Sequence, residues 1–201
     1  MSNFHVNWDN AFNDACLNQF VELGYTVFDD VFTHPDLLSL QAESGFIDYK
    51  AANLTQGQRL DNIRGDKTHW ITNQDQAGLG YLKAIESLAR FANRTLYTGI
   101  RNCEAHYACY PAGFGYQWHS DNPQNRDERV LSAVFYLNDH WQEKDGGAIE
   151  VVDKTGTHHT LLPQANRLVV FDSNLMHQVQ IAHRERFSIA TWMRRDGENQ
   201  L

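Results

Sequence analysis

Apolar positions recur every three or four residues through the first half of the chain. In DNAFNDACLNQFVELGY, Phe12, Ala15, Cys16, Phe20 and Leu23 fall at helical spacing, and Gly24 stands where such a helix would stop. The following YTVFDDVF reads as a strand. In THPDLLSLQAESGF, Pro35 suits a first helical turn, because its missing N–H would be unpaired there anyway. Residues 51–68 are polar and read as loop. A second long amphipathic stretch, LGYLKAIESLARFANRTLY, runs from Leu79 to Tyr97.

From residue 100 the pattern shortens. EAHYACY, VLSAVFYL, GAIEVV, THHTLL, RLVVF, HQVQI and RFSIATWM follow one another, punctuated by Gly, Pro, Asn and Asp. Short apolar or alternating runs at this spacing predict an antiparallel β-sandwich or barrel. The expected class is α+β, mainly β, with the N-terminal helices packed on one sheet. One domain is expected over residues 1–201, with helical support and the first strands up to residue 100 and a β core over 101–196.

Composition narrows the function. A chain of 201 residues with 42% hydrophobic content can bury roughly 70% of its unfolded surface. It therefore needs no disulfide or structural metal to hold a core. The formal net charge is -8, which argues against a broad nucleic-acid or anionic-membrane surface. Three widely spaced cysteines, Cys16, Cys103 and Cys109, make neither a disulfide framework nor a C-x-x-C zinc motif. Cys109 is expected to face the core. The start, MSNFHVNWDN, has no signal-peptide pattern, and no apolar run reaches the ~20 residues of a membrane helix. A cytoplasmic protein is expected, binding neither nucleic acid nor membrane.

Candidate chemistry centres on YQWHSDNP. Strand side chains alternate sides, so His119 and Asp121 would point the same way. A third ligand must come from another strand, and FDSNLMHQVQ supplies His177 at the start of one. Two His and one carboxylate form the facial triad of non-haem Fe(II), with positions left open for substrate and O₂. The same set holds zinc in hydrolases, so the triad alone does not choose the metal. Arg186 lies nine residues beyond His177, on the following strand. A buried Arg without a partner is costly, and a planar guanidinium suits a bidentate carboxylate. A dicarboxylic cosubstrate that chelates iron at one end and meets Arg186 at the other accounts for both features. The inferred cosubstrate is 2-oxoglutarate; a zinc hydrolase would not need this arginine. His158, His159 and His183 are expected to be solvated.

These motifs resemble the 2-oxoglutarate- and Fe(II)-dependent dioxygenases, and within them the prolyl 4-hydroxylases of the hypoxia-inducible-factor (oxygen-sensing) type, including bacterial members. The resemblance is carried by IRGDKTHWI at 63–71, ACYPAGFGYQWHSDNP at 108–123, FYLNDHW at 135–141, GGAIEV at 146–151 and MHQVQIAHRERFSIATW at 176–192. It implies a double-stranded β-helix (jelly roll) core. It implies His119, Asp121 and His177 as iron ligands and Arg186 as the cosubstrate clamp. Tyr110, Tyr136 and Trp192 would line the cosubstrate pocket, and Arg129, Arg64 and Asp66 would sit near a peptide-binding groove. The implied cofactors are Fe(II), 2-oxoglutarate and O₂, with ascorbate as a reductant. The implied reaction is hydroxylation of a prolyl residue in a partner protein, with a translation elongation factor as a candidate target, and release of succinate and CO₂. The loop after Asp121 is longer than in the animal enzymes and the stretch before His119 shorter, so the substrate does not transfer with the chemistry. Two alternatives stand beside this reading: a hydroxylase of a small molecule or free amino acid, and a non-catalytic module responding to iron or 2-oxoglutarate.

Overall fold

The computed structural model describes residues 4–51, 64–122 and 127–197. The first expected helix is two. Helix α1 (Trp8–Ala11) ends at Phe12, and α2 (Asp14–Leu23) begins after Asn13, whose side chain accepts a hydrogen bond from the Cys16 N–H. An extended Asn that caps a new helix outweighs the continuous apolar stripe. Gly24 ends α2 in the left-handed region at φ 83, with its N–H bonded to Phe20 O. Strand β1 (Tyr25–Phe28) stops short of the expected run, because the chain turns at Asp30 with φ 52. Helix α3 (His34–Phe46) opens with Pro35 in its first turn and Thr33 as its cap.

Part of the segment read as loop is strand. Strand β2 (Lys50–Ala51) pairs with β3 (Lys67–Trp70), and β3 pairs with β4 (Asn102–Tyr110). KTHW carries no strong alternation of its own, so its strand state comes from its neighbour. Residues 52–63 lie outside the described set. Helix α4 (Gln76–Leu96) starts before the expected Leu79. Its first-turn N–H groups at Ala77 and Gly78 donate to Glu43 of α3. The remaining strands are β5 (Tyr116–His119), β6 (Arg129–Tyr136), β7 (Ile149–Val152), β8 (His158–Leu161), β9 (Leu168–Asp172), β10 (His177–Val179) and β11 (Arg186–Arg194).

These strands form a seven-stranded sheet in the order β1-β9-β6-β11-β4-β3-β2 and a four-stranded sheet in the order β5-β10-β7-β8. Every ladder between named strands is antiparallel. The helices cover one face of the larger sheet, where Phe12, Leu40, Ile85 and Leu88 pack against Tyr107, Leu131, Phe135, Ile189 and Met193. The other face meets the smaller sheet over Tyr25, Tyr136, Ile149, Val151, Val169 and Phe171. This is the mainly β, jelly-roll arrangement expected, with helices on one sheet. Cys109 is buried on β4 as expected, and all three cysteines are free. His158 and His183 are exposed, as expected, but His159 is not solvated: it is half-buried, with Nε2 2.7 Å from Asp153 Oδ2 and its ring against Tyr25. No described helix is long and apolar enough to cross a membrane.

Candidate functional site

His119 and His177 face each other in register on β5 and β10, with ring centroids 4.2 Å apart. Each Nδ1 bonds the carbonyl two residues earlier, Gln117 O at 2.7 Å and Leu175 O at 3.0 Å. Those bonds make Nδ1 the donor and leave each Nε2 lone pair free as a ligand. Asp121 lies just past the end of β5 rather than on it. Its place is fixed by its N–H to Ser173 O and by Ser132 Oγ, which donates to Oδ2 at 2.5 Å. Asp121 Oδ2 is 3.8 Å from His177 Nε2. One ligand atom from each of the three residues lies within 4.8 Å of the others.

The electrostatics suit a divalent cation. Burial, and then the neighbouring His177, push His119 down to about 4, so its imidazole is neutral. Burial alone would raise the Asp121 carboxyl; His177, His119 and the Ser132 hydroxyl outweigh it and hold the group below the usual carboxylate range. Two imidazoles and one carboxylate converge from one wall, which leaves the opposite side open for further ligands. The donor set fits a resident Fe(II).

Arg186 opens β11 and is 1% exposed. It stands opposite Tyr110 of β4 in the ladder. Its Nε donates to Gly147 O at 2.8 Å and its Nη1 to Ser188 Oγ at 3.2 Å. Both acceptors are neutral, so no described carboxylate is hydrogen-bonded to this cation. Its guanidinium carbon lies 5.0 Å from the Tyr110 ring centre and 5.1 Å from that of Tyr136. The Tyr136 hydroxyl is buried without a hydrogen-bond partner, and burial pushes its pKa up to about 12. A buried guanidinium beside an unused hydroxyl is a site that can take up an anionic oxygen. Gly146 and Gly147, at φ 63 and 65, deliver the anchoring carbonyl; a Cβ on Gly147 would lie 3.0 Å from Arg186 Cδ. One cavity of about 390 Å³ is lined by Arg186, Tyr110 and the triad.

Towards the mouth, the Arg129 guanidinium stacks on Trp192 at 3.9 Å. Its Nη1 also bonds Asp121 O at 3.3 Å, so Arg129 touches the triad's own backbone as well as the mouth. Trp192 faces Trp70 and His106, and both His106 Nδ1 and Trp192 Nε1 are buried and unpartnered. Arg64 and Asp66 form a two-point ion pair of 2.6 and 3.0 Å, with Asp66 buried. Arg64 lies over the Tyr116 ring, and Tyr116 stacks on His119 at 3.7 Å. Every residue expected at the site except Tyr136 lines this cavity, and Tyr136 reaches it through Arg186. Tyr116, His106, Ser132, Ser173 and Ser188 escaped the sequence reading. The one available signal was Ser132, a small polar side chain inside the apolar run VLSAVFYL.

The family model described as the 2OG-Fe(II) oxygenase superfamily matches residues 105–194. A crystal structure of a Pseudomonas putida prolyl-4-hydroxylase is 34% identical and superposes with a TM-score of 0.83, covering 90% of this chain and 98% of that one. The chain belongs to the 2OG-Fe(II) oxygenase superfamily. A Trichoplax adhaerens prolyl hydroxylase, solved with a hypoxia inducible factor peptide fragment, superposes with a TM-score of 0.83 at 26% identity, over 94% of each chain. Human Egl nine homolog 1 is 35% identical over 141 residues, which are 65% of this chain and 33% of that protein. Human prolyl hydroxylase EGLN3 is 31% identical over 159 residues, 72% of this chain and 64% of that protein. The chain thus spans about one third to two thirds of these curated relatives. Membership settles the metal that the triad left open: the cofactors of this oxygenase are Fe(II), 2-oxoglutarate and O₂, and His119, Asp121 and His177 form its metal-binding triad.

Proposed function

We propose that the protein hydroxylates a prolyl residue in an exposed loop of a protein substrate, with 2-oxoglutarate converted to succinate and CO₂. The observation that carries this reading is a single cavity lined by the triad and by a buried Arg186 that has only neutral partners. Likeness to solved prolyl hydroxylases along nearly the whole chain supports the substrate class. Fe(II) bound at the triad supplies O₂ activation and couples decarboxylation to oxidation of a C–H bond.

The chain's own residues do the rest. Arg186 receives the distal carboxylate of 2-oxoglutarate, and each charge-assisted hydrogen bond contributes about 1.5–3 kcal/mol. Tyr136 donates its unused hydroxyl to the same end, while Tyr110 walls the cosubstrate from the strand opposite. His119 and His177 present their Nε2 atoms, each ring held at Nδ1 by a backbone carbonyl. Trp192, Trp70 and His106 form an aromatic wall at the mouth that suits a pyrrolidine ring in an extended segment. Arg129 braces that wall and orders the chain at Asp121. Arg64 and Asp66 brace Tyr116 against His119 rather than reaching for substrate. Residues 101–196 carry the chemistry within one domain, and residues 1–100 support it. A translation elongation factor is one candidate target, and ascorbate is the expected reductant.

The deciding experiment incubates iron-loaded protein with cell extract, 2-oxoglutarate, ascorbate and O₂, and then searches for peptides that gain one oxygen atom. Oxidised proline in a discrete protein is the expected result. Succinate formation driven by a free amino acid or metabolite would replace it with a small-molecule hydroxylase. Tight 2-oxoglutarate binding with no stimulated turnover would leave a sensor module.

A further inference from the structure

Ser132 and Ser173 are buried, and both lie behind the carboxylate of the triad. Ser132 sits on β6, in register with Trp192 of β11 and Phe171 of β9. Its side chain falls on the cavity face of a strand whose flanking residues are apolar. Ser132 Oγ donates to Asp121 Oδ2 at 2.5 Å, so its own oxygen is free to accept. Ser173 Oγ lies 2.8 Å from it. The only proton order that serves the carboxylate runs from Ser173 to Ser132 to Asp121. Ser173 also accepts the Asp121 N–H through its backbone carbonyl. The aspartate is therefore gripped at its backbone and at one carboxylate oxygen by the same pair of residues.

We propose that Ser132 and Ser173 are positioning residues for the metal, a hydroxyl relay that fixes the rotation of the Asp121 carboxylate. Asp121 lies beyond the end of β5, where no ladder holds it. A carboxylate free to turn about Cβ–Cγ would spend most of its time with neither lone pair aimed between the imidazoles. It would also be free to chelate through both oxygens and fill a coordination position that cosubstrate or O₂ requires. The relay occupies a lone pair of Oδ2 and, with Arg129 Nη1 4.0 Å from Oδ1 on the other side, restrains the rotation. Ser132 strengthens as a donor when Ser173 donates to it, because linked hydrogen bonds polarise one another. Partners of this kind behind a metal ligand are worth about 10- to 100-fold in metal affinity.

The inference rests on the triad as a metal site and not on prolyl chemistry, so metal binding is read apart from turnover. Metal-free Ser132→Ala, Ser132→Thr and Ser173→Ala proteins are titrated with Mn(II), and free ion is followed by electron paramagnetic resonance. Ser132→Ala is expected to bind about 10- to 100-fold more weakly. Ser132→Thr, which keeps the hydroxyl, is expected to restore binding to near the parent level, and Ser173→Ala to fall between. Parent-like affinity in Ser132→Ala, or no rescue by threonine, overturns the proposal. If Ser132→Ala does not fold, Ser132→Thr and Ser173→Ala decide it: parent-like binding in both overturns the relay, and a loss confined to Ser173→Ala supports it. A parent protein that binds Mn(II) tightly but oxidises no proline would defeat the proposed function and leave this inference standing.

Discussion

The two faces of the seven-stranded sheet are built from the same strands and do opposite things. Along β11, Ile189 and Met193 enter the helix-covered core, while Arg186, Ser188, Ala190 and Trp192 line the cavity. Along β4, Tyr107 turns to the helices and donates its hydroxyl to Glu43, while His106 and Tyr110 turn to the cavity. On the helix face, Thr26 Oγ1 is the one described buried side-chain polar atom without a partner; the Tyr81 hydroxyl meets Thr191, and Glu43 takes three donors. On the cavity face, His106 Nδ1, Trp192 Nε1 and the Tyr136 hydroxyl are buried without partners. Stability is concentrated on one side of a strand and unspent hydrogen-bonding capacity on the other. The period-2 alternation of strand side chains is what makes this separation possible.

The comparison breaks most severely at the triad. His177→Ala should abolish Fe(II)-dependent succinate formation while the helix-side core stays intact; metal titration and thermal melting check the two halves. Next comes a pair of substitutions expected to differ in kind. Phe135→Ala, on the helix face, should cost about 3–5 kcal/mol of stability and leave the 2-oxoglutarate KM of the remaining folded protein unchanged. Arg186→Met, on the cavity face, should leave the melting temperature of the metal-free protein equal or higher, because it removes a buried cation that lacks an anion. The same change should raise the 2-oxoglutarate requirement roughly 10- to 100-fold, matching a lost clamp of about 1.5–3 kcal/mol. A large loss of stability in Arg186→Met would show that the two faces are not separable. Gly147→Ala should raise the 2-oxoglutarate requirement less than Arg186→Met, by shifting the anchoring carbonyl, but should lower the melting temperature, since a left-handed non-glycine residue costs about 1–2 kcal/mol. The smallest effect is expected of Arg129→Ala, a few-fold rise in substrate KM from the loss of a cation–π contact worth about 0.5–1 kcal/mol. Because Arg129 Nη1 also bonds Asp121 O, substrate-independent decay of 2-oxoglutarate should fall as well, by far less than in His177→Ala.

Legibility in the sequence followed the same division. The metal ligands could be read because His119 and Asp121 are two apart and His177 opens its own apolar run. Arg186 could be read because a charge inside RFSIATW has no ordinary place in a β core. Tyr116 and Ser173 could not, and Ser132 showed only as a polar residue in an apolar run, since their roles exist only once β5 of one sheet meets β6 and the end of β9 of the other. Ser132 is separated from Ser173 by 41 residues and from Asp121 by 11, and no local spacing rule links them. The break between α1 and α2 turned on one side-chain cap at Asn13, a local bond that apolar periodicity does not report. Arg64 and Asp66 were visible as charges two apart, but their spacing does not show that they bond each other rather than a substrate.

The alignment of β4 with β11 has one more effect. Arg186 faces Tyr110 at one end of a ladder that runs unbroken to Arg194 opposite Asn102. A slip of a single residue would swing each side chain of β11 to the other side, sending Arg186 into the layer of helix-facing phenylalanines and leucines. That misalignment would be penalised by the very guanidinium proposed to hold the cosubstrate. The same guanidinium would thus disfavour the slipped register, and chains lacking it should mispair these strands more often even where the finished protein is no less stable.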